Sequence, residues 1–140
     1  MKDRVFLDTN VVLDLLGERI SFYASIARIA SLADRSKVQL VTSAISFPTL
    51  YYLLSKYESP RVALEKLRKF RLLTDIAELT DLILDKALNS TFTDFEDALQ
   101  YYCALSTHCN IILTRDFNGF KGSALPVMTP DEYLAGRLGR

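Results

Sequence analysis

Much is scarce in this chain of 140 residues: it has two cysteines, one histidine and no tryptophan. Cys103 and Cys109 are too few for a disulfide framework and lack metal-finger spacing. A helical Cys103 reads instead as a small core residue. Glycine numbers five and proline four. No glycine-rich loop is present to cradle phosphates, which argues against a nucleoside triphosphatase, and there is no Gly-x-Ser-x-Gly elbow. Net charge is missing too, with Lys plus Arg and Asp plus Glu balanced at 17 each. A protein that holds nucleic acid by bulk electrostatics alone would carry a positive excess; a local basic rim around an acidic centre is still compatible with the balance. No apolar stretch reaches membrane-spanning length. Lys2, Asp3 and Arg4 precede only a short strand, not the apolar core of a signal peptide. The expectation is one cytoplasmic domain over residues 1–140, long enough to bury a good core.

What is present is an alternation of short apolar runs and amphipathic segments. Val5–Leu7 reads as a first strand, and Val11–Leu16 as a helix stopped by Gly17. Ser21 can cap a helix carrying Phe22, Ile26, Ile29, Ala30 and Ala33 at helical spacing. Val38–Thr42 reads as the second strand. Ser43 or Ser46 then caps a helix with Pro48 in its first turn, where proline is tolerated. After Pro60 a charged amphipathic helix runs over 61–70, and 71–76 reads as a third strand. Leu79–Leu88 and Asp94–Ser106 read as helices, the first with Leu79, Ile83, Ala87 and Leu88 on one side. Ile111–Leu113 is a buried strand, residues 126–128 an edge strand, and Pro130 opens a last helix. Strands alternating with helices predict an α/β fold with a parallel sheet and right-handed crossovers.

Acidic residues fall at the places where such a sheet binds ligands, beyond the carboxyl ends of its strands. Asp8 follows the first strand directly, and a carboxylate there is costly unless it is paired, hydrogen-bonded or metal-bound. Its alternative role is a helix cap. Asn10, two residues on, can orient Asp8, hold a water or act as a turn residue; it also stands where an aspartyl-phosphate phosphatase would carry a second Asp. Asp94 and Asp97 share a helix face, whereas Glu96 is expected to point elsewhere. The same stretch also matches a capping box with Thr93 at N-cap and Glu96 at N3, in which the acids are structural. Asp116 follows the strand at 111–113 and can otherwise be a turn residue. Thr114 can donate to a carboxylate or a phosphate, and Arg115 is either a phosphate contact or an exposed rim charge. His108 suits a helix C-terminus better than a base. Acidic groups gathered from distant segments repel unless a cation sits among them, and hard cations such as Mg²⁺ take carboxylate oxygens.

The stretch from Val5 to Asp14, the Asp97-Ala98-Leu99 motif followed by Ala104, and the Ile112-Leu113-Thr114-Arg115-Asp116 run with Phe120 together resemble the PIN-domain family of metal-dependent ribonucleases, which includes the VapC-type toxins. Ser46–Leu50 and Asp94–Tyr101 are similar to a bacterial subgroup of it. The resemblance implies a three-layer α/β/α fold with a central parallel sheet of about five strands. It implies hydrolysis of RNA phosphodiesters with Mg²⁺ or Mn²⁺ held by Asp8, Asp97 and Asp116, with Asp94 as an extra acid. It further implies a homodimer and a small antitoxin partner. The chain departs from the family at one position: Thr49 stands where a Glu is usual. A neutral hydroxyl there weakens metal binding and makes a second metal harder to hold. Asp94, or Glu18 from a loop, is the candidate to compensate. The alternative is a catalytically weak or inactive relative that binds RNA or a protein partner.

Overall fold

A computed structural model describes residues 2–138. Its strands are β1 (Arg4–Leu7), β2 (Gln39–Ser43), β3 (Thr74–Ala77), β4 (Ile111–Leu113) and β5 (Val127–Met128). The helices are α1 (Thr9–Leu16), α2 (Tyr23–Asp34), α3 (Ser46–Tyr57), α4 (Pro60–Leu73), α5 (Asp81–Leu88), α6 (Phe95–Ser106) and α7 (Pro130–Leu138), with a 3-10 turn over Phe117–Phe120. The five strands form one sheet in the order β3-β2-β1-β4-β5, and every pairing is parallel.

Continuous apolar runs such as Val5-Phe6-Leu7 and Ile111-Ile112-Leu113 form these strands because helices cover both faces of the sheet. Alternate residues feed two separate cores. Val5, Leu7, Leu40 and Leu113 join the cluster built with α1 to α4 and α7. Phe6, Val41 and Ile112 join the cluster built with α5 and α6. The expected three-layer α/β/α architecture with a five-stranded parallel sheet is therefore present. Among the described residues, no helix is long and apolar enough to cross a membrane.

Helix ends account for most differences from the sequence reading. No Ser21 cap forms: α2 begins at Tyr23 with Phe22 at N-cap and no side-chain hydrogen bond there. α3 begins at Ser46 after Ile45, again with no side-chain cap, while Ser43 Oγ accepts from the Ile45 N–H at 3.1 Å. Residues 71–73 are not strand but the last turn of α4, which exposes Leu72 almost fully; β3 starts one step later, at Thr74. The helix expected from Leu79 starts at Asp81, capped by Thr80; in it only Ile83 and Ala87 are buried, and Leu88 is exposed, as is Leu79 before the cap. Cys103 is buried as expected. A reciprocal capping box does occur, at Thr129 and Glu132: Thr129 Oγ1 accepts from the Glu132 N–H and Glu132 Oε1 from the Thr129 N–H.

Candidate active site

The chain runs outward from β1 through β2 to β3, then returns to the other side of β1 to lay down β4. Beyond the carboxyl ends of β1 and β4 lies the crevice of a topological switch point, where open α/β sheets bind ligands. Asp8 sits directly after β1 and Asp116 three residues after β4. The N-terminus of α6, carrying Asp94 and Asp97, closes the same edge.

Asp8 is buried. Its carboxylate accepts from the Thr9 N–H at 2.9 Å and from Thr114 Oγ1 at 2.7 Å, with Asn10 Nδ2 at 3.4 Å. Burial pushes its pKa up; the bonds from Thr114 and Thr9 work against the rise, while Glu96 and Asp116 add to it. Asn10 Nδ2 also reaches Thr114 Oγ1 at 3.3 Å, and Asn10 Oδ1 accepts the Arg115 N–H at 3.2 Å. Thr114 Oγ1 in turn accepts the Asp116 N–H at 3.0 Å. One network thus ties the end of β1 to the end of β4.

Asp97 is half-buried. Burial, and then the fields of Asp8, Asp94, Asp116 and Glu96, push its pKa up to about 7. The charges of Asp8, Asp94 and Asp116, three residues singled out in the sequence, all act on it. Two details differ. Asp94, not Thr93, caps α6, its Oδ1 accepting the Asp97 N–H at 2.9 Å. Glu96, expected to point away, is exposed, yet its charge still raises both Asp8 and Asp97. Gly119 fits between two of the acids: a Cβ built on it would collide with Asp97 Oδ2 and stand 3.1 Å from Asp116 Oδ2.

A neutral, largely buried cluster adjoins the acids. Thr9 Oγ1 and Ser46 Oγ lie 2.6 Å apart. Gln100 Nε2 donates to both, at 3.1 and 3.0 Å, and Gln100 Oε1 is buried with no donor among the described residues. Sequence reasoning gave Ser46 only as a cap and missed Gln100, which follows Asp97 by one turn and so shares its face. Thr49 lies on the first turn of α3, as expected, and is exposed.

Arg115 is neither of the two things expected of it. Its guanidinium is committed to the buried carboxylate of Asp14, Nε to Oδ2 at 2.6 Å and Nη2 to Oδ1 at 3.2 Å.

A sequence profile described as the PIN domain matches residues 4–118. The chain is 31% identical over 136 residues to "Ribonuclease VapC1" of Aquifex aeolicus, covering 94% of this chain and 93% of that protein. This chain belongs to the PIN-domain family. Solved structures share the PIN fold at low identity. One is a toxin–antitoxin complex from Klebsiella pneumoniae (TM-score 0.67, 20% identical, covering 90% of this chain and 97% of that one). Another is VapC20 of Mycobacterium tuberculosis, described as a sarcin–ricin loop cleaving toxin (TM-score 0.64, 16% identical, covering 84% and 95%).

The donor set of this PIN domain suits a hard divalent cation in chemistry, since its oxygens come from carboxylates that repel one another. The space at Gly119 lets the Asp97 and Asp116 groups approach a common point. Among the described residues, no three His, Cys, Asp or Glu side chains stand close enough to hold a metal as they are oriented.

The raised Asp97 pKa has a signed consequence. Between the usual value of 3.8 and about 7, the native state holds a proton that the unfolded state has released, so stability falls as pH rises through that window. Without metal, Asp97→Asn is expected to stabilise the protein at pH 8 by about 1 kcal/mol after screening by solvent, and by nothing measurable at pH 3.5. Melting temperatures of both proteins at the two pH values check this; an equal difference at both would reject the shift.

Proposed function

We propose that this chain is a metal-dependent endoribonuclease that hydrolyses RNA phosphodiester bonds in the cytoplasm, as the toxin of a toxin–antitoxin pair. The single domain expected over residues 1–140 would carry the whole activity. The observation that supports this most is the simultaneous action of Asp8, Asp94 and Asp116 on Asp97 at the switch point. Asp8, Asp97 and Asp116 would hold Mg²⁺ or Mn²⁺, with Asp94 as the further acid. Bound there, such an ion would lower the pKa of water and offset charge on the phosphoryl oxygens. Thr114 and Asn10 fix the Asp8 carboxylate for that task, and the buried Thr9–Ser46–Gln100 cluster braces the adjoining turn. The likeness to a ribonuclease over nearly the full chain supports RNA as substrate, and that to toxin–antitoxin complexes supports a small antitoxin as partner.

Thr49 favours a second reading, a weak or inactive PIN domain that binds RNA or a protein. The test is a paired cleavage assay with Mn²⁺ on a mixed RNA pool, using Asp8→Asn as the blank. Wild type is expected to cleave above the blank, and Thr49→Glu to cleave about tenfold faster, since an added carboxylate restores charge near the site. If wild type matches the blank while Thr49→Glu cleaves, the natural protein is a degenerate nuclease. If Thr49→Glu abolishes an activity that wild type has, Thr49 itself belongs to the working site.

A homodimer is also part of the reading. The candidate surface is on α3 and α4, where Tyr51, Tyr52 and Leu64 are exposed and Leu53 is half-buried, while Leu67 is buried in the core. With Phe47, Pro48 and Leu72, the exposed Tyr51 and Leu64 line an apolar groove between α3 and α4. Light scattering is expected to show twice the monomer mass at micromolar concentration; a monomer at high concentration would reject the dimer.

A further inference from the structure

Asp14 lies within α1 and is 2% exposed. Its carboxylate takes both prongs of the Arg115 guanidinium, and Arg19 Nε stands 3.9 Å away. The guanidinium carbon lies 4.0 Å above the centre of the Phe22 ring, a second hold on the same group. The position of Arg115 in the chain makes this arrangement informative. Its neighbour on one side, Thr114, bonds Asp8, and its neighbour on the other is Asp116. Its own N–H rests on Asn10, which touches Asp8. A permanent cation is thus tethered between two members of an acid cluster, yet its head is turned away from both. Guanidinium and carboxylate form strong two-pronged pairs wherever they meet, so Asp116 and Asp8 would compete for this head if Asp14 did not hold it.

We infer that Asp14 is a positioning residue that sequesters the Arg115 guanidinium, keeping the carboxylates of Asp8 and Asp116 free for a divalent cation. This rests on the metal-dependent reading above. A plain structural ion pair makes a different prediction: breaking it would loosen the fold without sending Arg115 into the acids.

The test compares wild type, Asp14→Asn, Arg115→Gln and the double variant, each as metal-free full chain. Readouts are calorimetric titration with Mn²⁺ and a crystal structure of Asp14→Asn, with Asp8→Asn as the blank. In Asp14→Asn the guanidinium is expected within hydrogen-bond reach of Asp116 or Asp8, and Mn²⁺ to bind about tenfold more weakly. Adding Arg115→Gln is expected to restore the wild-type affinity while the melting temperature stays low. Arg115→Gln alone should bind Mn²⁺ as tightly as wild type or more so, a result that can overturn the inference even if Asp14→Asn does not fold. A guanidinium left over Phe22 in Asp14→Asn would overturn the inference. So would weaker Mn²⁺ binding in Arg115→Gln, or an equal loss in single and double variants. If wild type binds no more Mn²⁺ than Asp8→Asn, the metal reading fails, and the position of Arg115 in the crystal still decides sequestration.

Discussion

Asp8→Asn is expected to lower RNA cleavage at least about a hundredfold, a loss no smaller than those seen when partners of metal ligands are removed. It is also expected to erase any rise in melting temperature that millimolar Mn²⁺ gives wild type, because an ion bound only to the native state stabilises by mass action. The same substitution should raise the melting temperature without metal. Burial pushes the Asp8 pKa up, so folding works against its ionisation at neutral pH. An Asn has the same shape and its carbonyl can still accept the Thr9 N–H; the bond from Thr114, whose oxygen already accepts from Asp116 and Asn10, is lost, which trims the gain. Melting curves with and without Mn²⁺, alongside cleavage, check both signs. A variant that keeps the wild-type Mn²⁺ response would remove Asp8 from the site.

Gly119→Ala is expected to separate folding from function. The added methyl would collide with Asp97 Oδ2 and lie 3.0 Å from Asp97 Cγ. What must yield is the end of a half-buried side chain, so the melting temperature should change by only a few degrees. Asp97 and Asp116, however, could no longer close on a common point. Mn²⁺ affinity and cleavage should each fall at least about tenfold, because small displacements of positioned groups are costly to catalysis. The outcome against this is a folded variant whose Mn²⁺ titration matches wild type. That would place any cation away from the Asp97–Asp116 pair.

The parts legible in the sequence were those with local causes. Val5–Leu7 and Ile111–Leu113 are apolar on both faces and each runs into an acid, so strands and candidate ligands were read together. Cap chemistry was harder, because Thr93 and Asp94 are adjacent and both good caps, and the helix uses the second. Residues 71–73 could be strand or helix by pattern alone. Long-range pairs left little trace: Asp14 and Arg115 meet across 101 positions. The one available signal was a lone carboxylate inside the apolar run from Val11 to Leu16, a residue that had to find a partner somewhere.

The cluster of Thr9, Ser46 and Gln100 joins three helices. Thr9 opens α1 beside Asp8, Ser46 opens α3, and Gln100 stands on α6 one turn after Asp97. Ser46 and Gln100 are buried, so their polar groups serve one another and not an arriving strand. A shift of α6 away from α1 would have to break the bonds of that one amide. The cluster thus works as a clamp on the spacing between the acid of α6 and the acid at the head of α1.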